Sequence, residues 1–375
     1  MIDLVGYLIV GGVAAVTTAA STMPLAAFAR RLGWMAAPDE RRNHPVPTPN
    51  VGGLAFLLGL LVALGVAALM DRFDPVIDQN SEVLGVIVAA VIITVLGFVD
   101  DIREVSAPMK VTGTVVAGLA LVWFGATMFY FRLPFLEVFV LSNDWIPLFT
   151  VVWLLGMTQA INLIDGLDGL AGGIVAIAAG SFFVYAKHLG DQGQLAEPNI
   201  GPLIAIITVG VCLGYLPFNF NPARTFMGDC GALLLGLLLA VSTSVVGGRA
   251  DPQLQQSTGQ TYFFIAPLFI PLLILGVPLL DVVFAVLRRT VNRQGIASAD
   301  RGHLHHRLIA LGHGPRRAVV ILWSWSALLS AVALYPALTE STPNFWPILA
   351  AAVALTLFTV LHPRWVRTRD ADPAP

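Results

Sequence analysis

The sequence predicts an all-α integral membrane protein, folded as one polytopic helical bundle. Apolar residues make up 57% of the chain and charged residues only 12%, whereas an average soluble domain has roughly 25% charged residues. The mean hydropathy is +0.79, and eleven apolar runs approach the ~20 residues that cross a bilayer as a helix. Because helices in lipid pack directly against one another, residues 1–362 are expected to form a single domain, followed by a polar tail at 363–375.

Each apolar run is predicted to be one transmembrane helix. The runs lie at residues 3–28, 51–70, 83–99, 111–131, 146–164, 171–187, 200–218, 231–247, 262–287, 318–338 and 345–362. The alanine-rich end of the first run resembles a signal-peptide cleavage site, but the run is long and lacks a basic amino-terminal region, so we expect a retained helix. Residues 133–140 are also apolar and would suit a re-entrant segment.

The distribution of Lys and Arg predicts the orientation, because these residues are enriched in cytoplasmic loops. With eleven spans, all but four of the 21 Lys and Arg residues fall on one side of the membrane. The four on the other side are Arg72, Arg132, Lys187 and Arg249. The amino terminus is therefore predicted outside, and the carboxyl terminus with its tail in the cytoplasm.

Five polar loops on the predicted cytoplasmic side contain the motifs that suggest chemistry. They lie at residues 30–53, 100–110, 162–173, 219–231 and 288–317. Acids at a membrane edge are costly and usually face a cavity, a partner or a metal, so these loops predict one cytoplasmic site. The alternative of an ion-coupled transporter would place acids near the bilayer midplane, at broken helices.

Carboxylates dominate these loops and are accompanied by fixed positive charges. The acids are Asp100, Asp101, Asp165, Asp168 and Asp229, and the cations are Lys110, Arg224 and Arg301. Clustered carboxylates repel one another unless a cation joins them. Oxygen ligands beside phosphate favour Mg²⁺, with Mn²⁺ nearly as suitable. This combination predicts phosphoryl transfer, in which catalysis depends on positioning and charge neutralisation. The net charge of −2 gives no indication of a nucleic-acid partner.

Two groups of residues keep alternative interpretations. Gly166, Gly169, Gly172 and Gly173 open a helix and would cradle an anion, although Gly172 and Gly173 suit helix packing equally well. The histidines of the last loop could clamp phosphate or sugar, bind a metal, or be solvated: His303, His305 and His306. Adjacent histidines on a regular helix cannot both face one ion, which favours the clamp over a zinc site.

Five motifs occur in the order found in a known family of membrane enzymes. They are RNHPVPTPNVGG (42–53), FVDD (98–101) with Lys110 downstream, NLIDGLDGLA (162–171), NFNPARTFMGDCG (219–231) and HLHH (303–306). Over about residues 30–310, the chain resembles the polyprenyl-phosphate N-acetylhexosamine-1-phosphate transferases. HLHH and the eleven spans are similar to the bacterial GlcNAc-1-phosphate transferase branch rather than to the lipid I translocase. The chain has Arg224 where Lys is common in the family, Cys230 where Ser or Thr is usual, and Ala232 where Ser is common. None of these differences removes a carboxylate.

The resemblance implies a reaction and its partners. A polyprenyl phosphate would attack the β-phosphorus of a UDP-N-acetylhexosamine, with GlcNAc as the favoured sugar, giving polyprenyl-pyrophosphoryl-sugar and UMP. This would be the first step of a cell-envelope glycan pathway, at the cytoplasmic face of the bacterial inner membrane. Membrane lipids would surround the bundle, no nucleic acid is expected, and the oligomeric state stays open, with a homodimer among the possibilities.

The resemblance also implies residue roles. Asp229 would be the main Mg²⁺ ligand, with Asp168 as a second ligand and catalytic side chain. Asp100 or Asp101 would orient or deprotonate the lipid phosphate. The nucleotide and its phosphates would contact Lys110, Asn162, Asp165, Gly166, Leu167 and Phe226. The pyrophosphate and the N-acetyl sugar would contact Arg301, His303, His305 and His306.

Other reactions remain as alternatives. Phospho-MurNAc-pentapeptide transfer would need the same chemistry with a larger sugar. An intramembrane prenyltransferase would also combine aspartates with Mg²⁺, but it should carry paired D-x-x-x-D motifs and has little need of the histidine loop. Single displacement is favoured over a covalent aspartyl intermediate, because a phosphate monoester with a second pKa of about 6 is already largely ionised.

Overall fold

The computed structural model describes residues 2–36, 47–78, 81–103, 105–128, 130–132, 138–195, 197–247, 276, 304–339 and 344–370. Within these ranges, the side chains of residues 130–132, 138–140, 247, 304–306 and 362–370 are not described. Predictions that fall elsewhere, such as the helix at 262–287 apart from Gly276, lie outside the described residues.

The described part of the chain is mostly helical. Its α-helices are α1 (Leu4–Leu32), α2 (Gly52–Ala67), α3 (Asp74–Ile77), α4 (Glu82–Arg103), α5 (Ala107–Trp123), α6 (Trp145–Ile164), α7 (Leu170–Asp191), α8 (Gly201–Asn219), α9 (Gly228–Gly247), α10 (Leu304–Ala310), α11 (Pro315–Leu338) and α12 (Trp346–Asp370). A 3₁₀ turn covers Asp71–Phe73. Two short antiparallel hairpins complete the described elements: β1 (Met35–Ala36) with β2 (Thr48–Pro49), and β3 (Tyr130–Arg132) with β4 (Val138–Val140).

Seven of the described helices are long and apolar enough to cross a bilayer: α1, α4, α6, α7, α8, α9 and α11. An eighth span would be α2 together with residues 71–77, which bend away from it by 98°. A helix satisfies its backbone hydrogen bonds internally, as lipid requires. The prediction of a helical, multi-pass membrane protein is therefore confirmed. The total of eleven spans and the orientation of the termini stay predictions.

The region after α5 differs from its prediction. The run at 111–131 was expected to be helical throughout, but α5 ends at Trp123. Gly125 adopts a left-handed φ of +86°, and Ala126 N donates to Leu121 O at 2.9 Å, a pattern that closes a helix. The described part of the proposed re-entrant segment is strand β4, which pairs with β3.

Helix α9 lies at the centre of the bundle and is almost completely buried. It packs against α2, α4, α6, α7 and α8. Glycines allow the closest approaches: a Cβ on Gly97 of α4 would lie 2.5 Å from Cys230 Cα, and one on Gly236 would lie 2.5 Å from Thr158 Cα. Small residues permit such backbone contact between helices in lipid. These contacts bring the carboxyl ends of α4 and α6 beside the amino end of α9.

Candidate active site

Several helix ends meet at one end of the bundle, where most of the predicted site residues lie. Helices α4, α6 and α8 end there, while α2, α5, α7 and α9 begin there. Helix ends expose backbone amides and carbonyls without partners inside the helix. The loops between these helices can therefore bond both to one another and to a ligand.

Lys110 lies between two carboxylates at this end of the bundle. Its Nζ donates to Asp229 Oδ2 at 2.8 Å and also forms an ion pair with Asp100 Oδ2. Asn162 Nδ2 donates to the same Asp229 oxygen at 3.2 Å, and Val105 N donates to Asp100 Oδ1 at 2.7 Å. The exposed fractions of the side chains are 8% for Asp100, 18% for Asp229 and 26% for Lys110. Four predicted site residues, each from a different helix, are thus brought together in a partly dehydrated cluster.

Asp101 has a different environment from its neighbour Asp100. Its Oδ1 accepts hydrogen bonds from Asp229 N at 2.9 Å and from Asn50 Nδ2 at 2.8 Å, and its Oδ2 accepts one from Cys230 N at 3.1 Å. Asp101 therefore caps the first amides of α9 from another helix, and a carboxylate is favourable at that end of a helix. Both of its oxygens are occupied by this contact with α9.

The loop before α2 pairs with the loop before α9. Phe226 N donates to Pro49 O at 2.9 Å, Gly52 N donates to Phe226 O at 3.0 Å, and Asn50 and Phe226 form a parallel bridge. Thr225 Oγ1 also donates to Pro49 O at 3.0 Å. These bonds pair residues 49–52 of the RNHPVPTPNVGG motif with residues 225–226 of the NFNPARTFMGDCG motif, 176 residues apart along the chain at the Thr225 bond.

A small polar depression lies beside the cluster. It is lined by Asp165, Gly166, Leu167, Asp168, Asn219 and Phe226, of which all but Asn219 were predicted to bind substrate or metal. Asp168 Oδ2 accepts hydrogen bonds from Asn221 Nδ2 at 2.9 Å and from Ala223 N at 3.1 Å. Asn219 Oδ1 accepts one from Gly169 N at 2.9 Å, where Gly169 has a left-handed φ of +78°. The NLIDGLDGLA loop is thus fastened to the loop that follows α8.

Helix α11 forms hydrogen bonds to the segments that border the depression. Arg316 Nε donates to Asn221 O at 2.8 Å, and Trp323 Nε1 donates to Leu170 O at 3.3 Å. A Cβ on Gly173 would lie 1.9 Å from the Trp323 ring, whereas one on Gly172 would meet nothing closer than 3.8 Å. Gly173 is therefore a packing residue, and Gly172 is not tightly packed.

Several predicted site residues lie outside the part of the chain that the structure describes. Arg301 and His303 are not described, and the side chains of His305 and His306, in the first turns of α10, are not described either. The predicted clamp of pyrophosphate and sugar stays a prediction.

Some residues that build the site were not predicted individually from the sequence. These are Asn50, Asn219, Asn221, Arg316 and Trp323. The three asparagines lie inside quoted motifs, and that membership was the available signal. Arg316 lies in the predicted site loop at 288–317, whereas Trp323 follows that loop and has no local signal.

The donor set can be compared with what a magnesium ion needs. Among the residues that the structure describes, no three or more His, Cys, Asp or Glu side chains form a group that could hold a metal. Asp100 and Asp229 approach the same point, which Lys110 Nζ occupies. Mg²⁺ commonly takes only one or two protein carboxylates and completes its shell with water and substrate phosphate. The two carboxylates fit that pattern, provided that the ammonium gives way.

Known proteins are similar to this chain over the region that forms the site. Residues 83–247 match the glycosyl transferase family 4 model, which covers α4 to α9 and three of the five motifs. A decaprenyl-phosphate N-acetylglucosaminephosphotransferase of Mycobacterium leprae is 32% identical over 367 residues, covering 96% of this chain and 91% of the relative. The chain belongs to the polyprenyl-phosphate N-acetylhexosamine-1-phosphate transferase family.

Other family members of both branches are similar to the chain. A probable undecaprenyl-phosphate N-acetylglucosaminyl 1-phosphate transferase of Bacillus subtilis is 34% identical, over 88% of this chain and 84% of the relative. A phospho-N-acetylmuramoyl-pentapeptide-transferase of Moorella thermoacetica is 31% identical, over 86% of this chain and 96% of the relative. The family predicted from the motifs is therefore confirmed.

Proposed function

We propose that this membrane transferase moves N-acetylglucosamine-1-phosphate from UDP-N-acetylglucosamine to a polyprenyl phosphate and releases UMP. The observation that carries the proposal is the Asp100, Lys110 and Asp229 cluster beside the depression at 165–168. A charged cluster next to a polar recess suits a nucleotide diphosphate whose reacting end must be neutralised. Membership of the family supplies the reaction class.

The bonds made and broken follow from these two substrates. An oxygen of the lipid phosphate attacks the β-phosphorus of the UDP-sugar, and the bond from that phosphorus to the bridging oxygen breaks. The bridging oxygen leaves on UMP, and the sugar stays on the transferred phosphate. No strong base is needed, because the attacking monoester is already largely ionised near neutral pH.

Each side chain near the cluster is assigned a separate role. Asp100 is assigned to orient the lipid phosphate, and Lys110 to bind phosphoryl oxygens as the charge is redistributed. Asp229 and Asp100 would hold the Mg²⁺ or Mn²⁺, which when bound supplies charge neutralisation on the diphosphate. Asp101, predicted from the motif to be catalytic, is assigned to position α9 because both its oxygens accept backbone amides.

The depression is assigned to the nucleotide. Asp165, Gly166, Leu167 and Phe226 line it, and a ring such as that of Phe226 can stack on a base. Asp168 also faces this recess and is held by Asn221 and Ala223, so we assign it first to the shape of the recess. Its role as a second metal ligand stays a prediction.

We place the site at the cytoplasmic face of a bacterial inner membrane, in a single eleven-span domain with the amino terminus outside. The excess of Lys and Arg in the loops on the side of the cluster supports this placement. The tail at 363–375 would then also be cytoplasmic. A homodimer is compatible with the sequence and can be tested by measuring the mass of the purified protein.

The second candidate is phospho-MurNAc-pentapeptide transfer, favoured by the similarity to the Moorella thermoacetica enzyme. The HLHH motif and the broad coverage of the Mycobacterium leprae relative favour the GlcNAc reaction.

A substrate panel separates the two candidates. Purified protein is incubated with polyprenyl phosphate and UDP-GlcNAc, UDP-GalNAc or UDP-MurNAc-pentapeptide, and UMP and lipid-linked sugar are measured. We expect product from UDP-GlcNAc, loss of activity with EDTA, and recovery with Mg²⁺ or Mn²⁺. An Asp229→Asn variant is the inactive control. Failure to release UMP from every donor would refute the proposal, and product from the pentapeptide donor alone would select the second candidate.

A further inference from the structure

We propose that Asn50 is a positioning residue for the transfer reaction, acting through Asp101 to fix the start of α9 and hence Asp229. The inference rests on the proposed function, because it assumes that Asp229 acts on the diphosphate. Asn50 itself does not contact Lys110 or Asp229 by any hydrogen bond described. Its effect must therefore pass through Asp101.

The contact between Asn50 and Asp101 is specific. Asn50 Nδ2 donates to Asp101 Oδ1 at 2.8 Å, and the same oxygen accepts Asp229 N at 2.9 Å. Three segments thus meet at one oxygen: the loop before α2, the end of α4 and the start of α9. Asn50 supplies the only side-chain donor to Asp101 among the described residues.

The backbone leaves little freedom for this arrangement. Asn50 is only 8% exposed, and its backbone is bridged to Phe226. A Cβ on Gly228 would lie 2.3 Å from Asn50 Oδ1 and 2.4 Å from Asp101 Oδ2. Gly228 also has a left-handed φ of +65°. The absence of a side chain at Gly228 therefore lets both polar groups reach the start of α9.

The unpaired oxygen of the Asn50 amide indicates that the contact with Asp101 orients this side chain. Asn50 Oδ1 is buried and has no hydrogen-bond partner within the described chain. An unpaired buried acceptor is costly, and such atoms are uncommon in folded proteins. An asparagine that served stability alone would be expected to satisfy both ends. The Nδ2 bond to Asp101 alone sets the orientation of this amide.

Asp101 can affect catalysis because it bonds the first amides of α9. Its carboxylate bonds the amides of Asp229 and Cys230, so a shift of Asp101 moves the Asp229 carboxylate relative to Lys110. A displacement of about 1 Å at a reacting centre can cost on the order of 100-fold in rate. Residues that orient ligand side chains typically cost about 10- to 100-fold when replaced.

The test compares Asn50→Ala with a matched control at the other end of α9. Asn199 is also a buried asparagine, and its Nδ2 donates to Val245 O at 2.9 Å. Asn199→Ala removes that bond and leaves the bond between Asn50 and Asp101 in place. With UDP-GlcNAc and polyprenyl phosphate, Asn50→Ala should lower kcat by about 10- to 100-fold, with the KM for UDP-GlcNAc changed by less than about threefold. Asn199→Ala should keep kcat within about threefold of wild type, and thermal melting in detergent is recorded for both variants.

A double-mutant cycle provides a second test, which also applies if Asn50→Ala does not fold. Asn50→Asp keeps the shape of the side chain but replaces the donor that faces Asp101 with an acceptor. If Asn50 acts only through Asp101, Asn50→Asp should lower kcat by about 10-fold in the wild-type background and by less than about threefold in an Asp101→Ala background.

The outcomes distinguish this inference from the proposed function. A wild-type protein that does not turn over UDP-GlcNAc overturns the function itself. An active wild type overturns only the positioning role if Asn50→Ala matches wild type, if it matches Asn199→Ala, or if the effect of Asn50→Asp on kcat is the same with and without Asp101→Ala. A rise in KM with unchanged kcat would also overturn it, because it would place Asn50 in substrate binding.

Discussion

Replacing Lys110 with Met tests the charge balance on which the candidate site depends. Lys110 Nζ contacts both Asp100 and Asp229, so the two carboxylate oxygens lie at most about 6 Å apart. At an effective dielectric constant of about 20, two unit negative charges at that separation repel by about 3 kcal/mol. Met keeps the length and apolar stem of the side chain but removes the ammonium. The variant therefore leaves two partly buried carboxylates without the cation between them.

The expected loss of rate follows from the contact proposed between Lys110 and the phosphoryl oxygens. A hydrogen bond to a charged group contributes about 1.5–3 kcal/mol, and about 1.4 kcal/mol corresponds to a factor of ten, so Lys110→Met should lower kcat by about 10- to 100-fold. The assay is UMP release with saturating UDP-GlcNAc and polyprenyl phosphate. Thermal melting with and without Mg²⁺ gives a second readout. If Mg²⁺ uses the same carboxylates, it should raise the melting temperature of Lys110→Met more than that of wild type, because the ammonium no longer competes.

Lys187→Met is the matched control. Lys187 forms an ion pair with Asp191 one turn further along α7, and the Asp191 side chain is 50% exposed. Exposed pairs of this kind contribute about 0.3–0.5 kcal/mol, so neither melting nor kcat should change appreciably. Wild-type kcat and an unaltered response to Mg²⁺ in Lys110→Met would refute the reasoning, because the two carboxylates would then not depend on the ammonium.

Further variants probe the nucleotide recess and its contacts with α11. Arg316→Gln should raise the KM for UDP-GlcNAc by about 3- to 10-fold with kcat nearly unchanged, because it loses an exposed hydrogen bond from the guanidinium to the loop of Asn221, worth about 1 kcal/mol; a fall in kcat alone would place Arg316 elsewhere in the reaction. Gly173→Ala should lower the free energy of unfolding by about 1–3 kcal/mol through overpacking, while Gly172→Ala should be tolerated; equal melting of the two variants would contradict the packing assignment. Asp165→Asn should raise the KM for the UDP-sugar and leave kcat nearly intact, and steady-state kinetics showing a pure loss of kcat would assign Asp165 to catalysis.

The helices could be predicted from the sequence because the solvent imposes them. A run of about 20 apolar residues in lipid has to form a helix, since its amides and carbonyls find no other partners. The described helices α1, α4, α6, α7, α8 and α9 accordingly begin and end within a few residues of the predicted runs. The prediction failed after Trp123, where apolar residues continue but Gly125 turns the chain into a hairpin. Hydrophobicity alone does not predict a residue with a left-handed φ.

The grouping of Asp100, Lys110, Asn162 and Asp229 could also be predicted, because motifs at helix ends on one side of a bundle must lie near one another. The separate roles of Asp100 and Asp101 could not. Successive residues on a helix point about 100° apart, and which of them meets α9 depends on how closely the two helices pack. That approach depends on Gly97, whose missing side chain allows contact with the α9 backbone. A sequence motif places both acids at the site without revealing this contact.

The excess of carboxylates over cations in the site is the reason for proposing a metal ion there. The site contains three carboxylates, those of Asp100, Asp101 and Asp229, and one ammonium, that of Lys110, so two negative charges have no side-chain cation within the described cluster. The amino end of α9 offsets part of this excess at Asp101, because its amides carry partial positive charge. The remaining excess lies at Asp100 and Asp229, the two side chains that approach a common point. A divalent cation there would balance the carboxylates and leave Lys110 free to follow the phosphate.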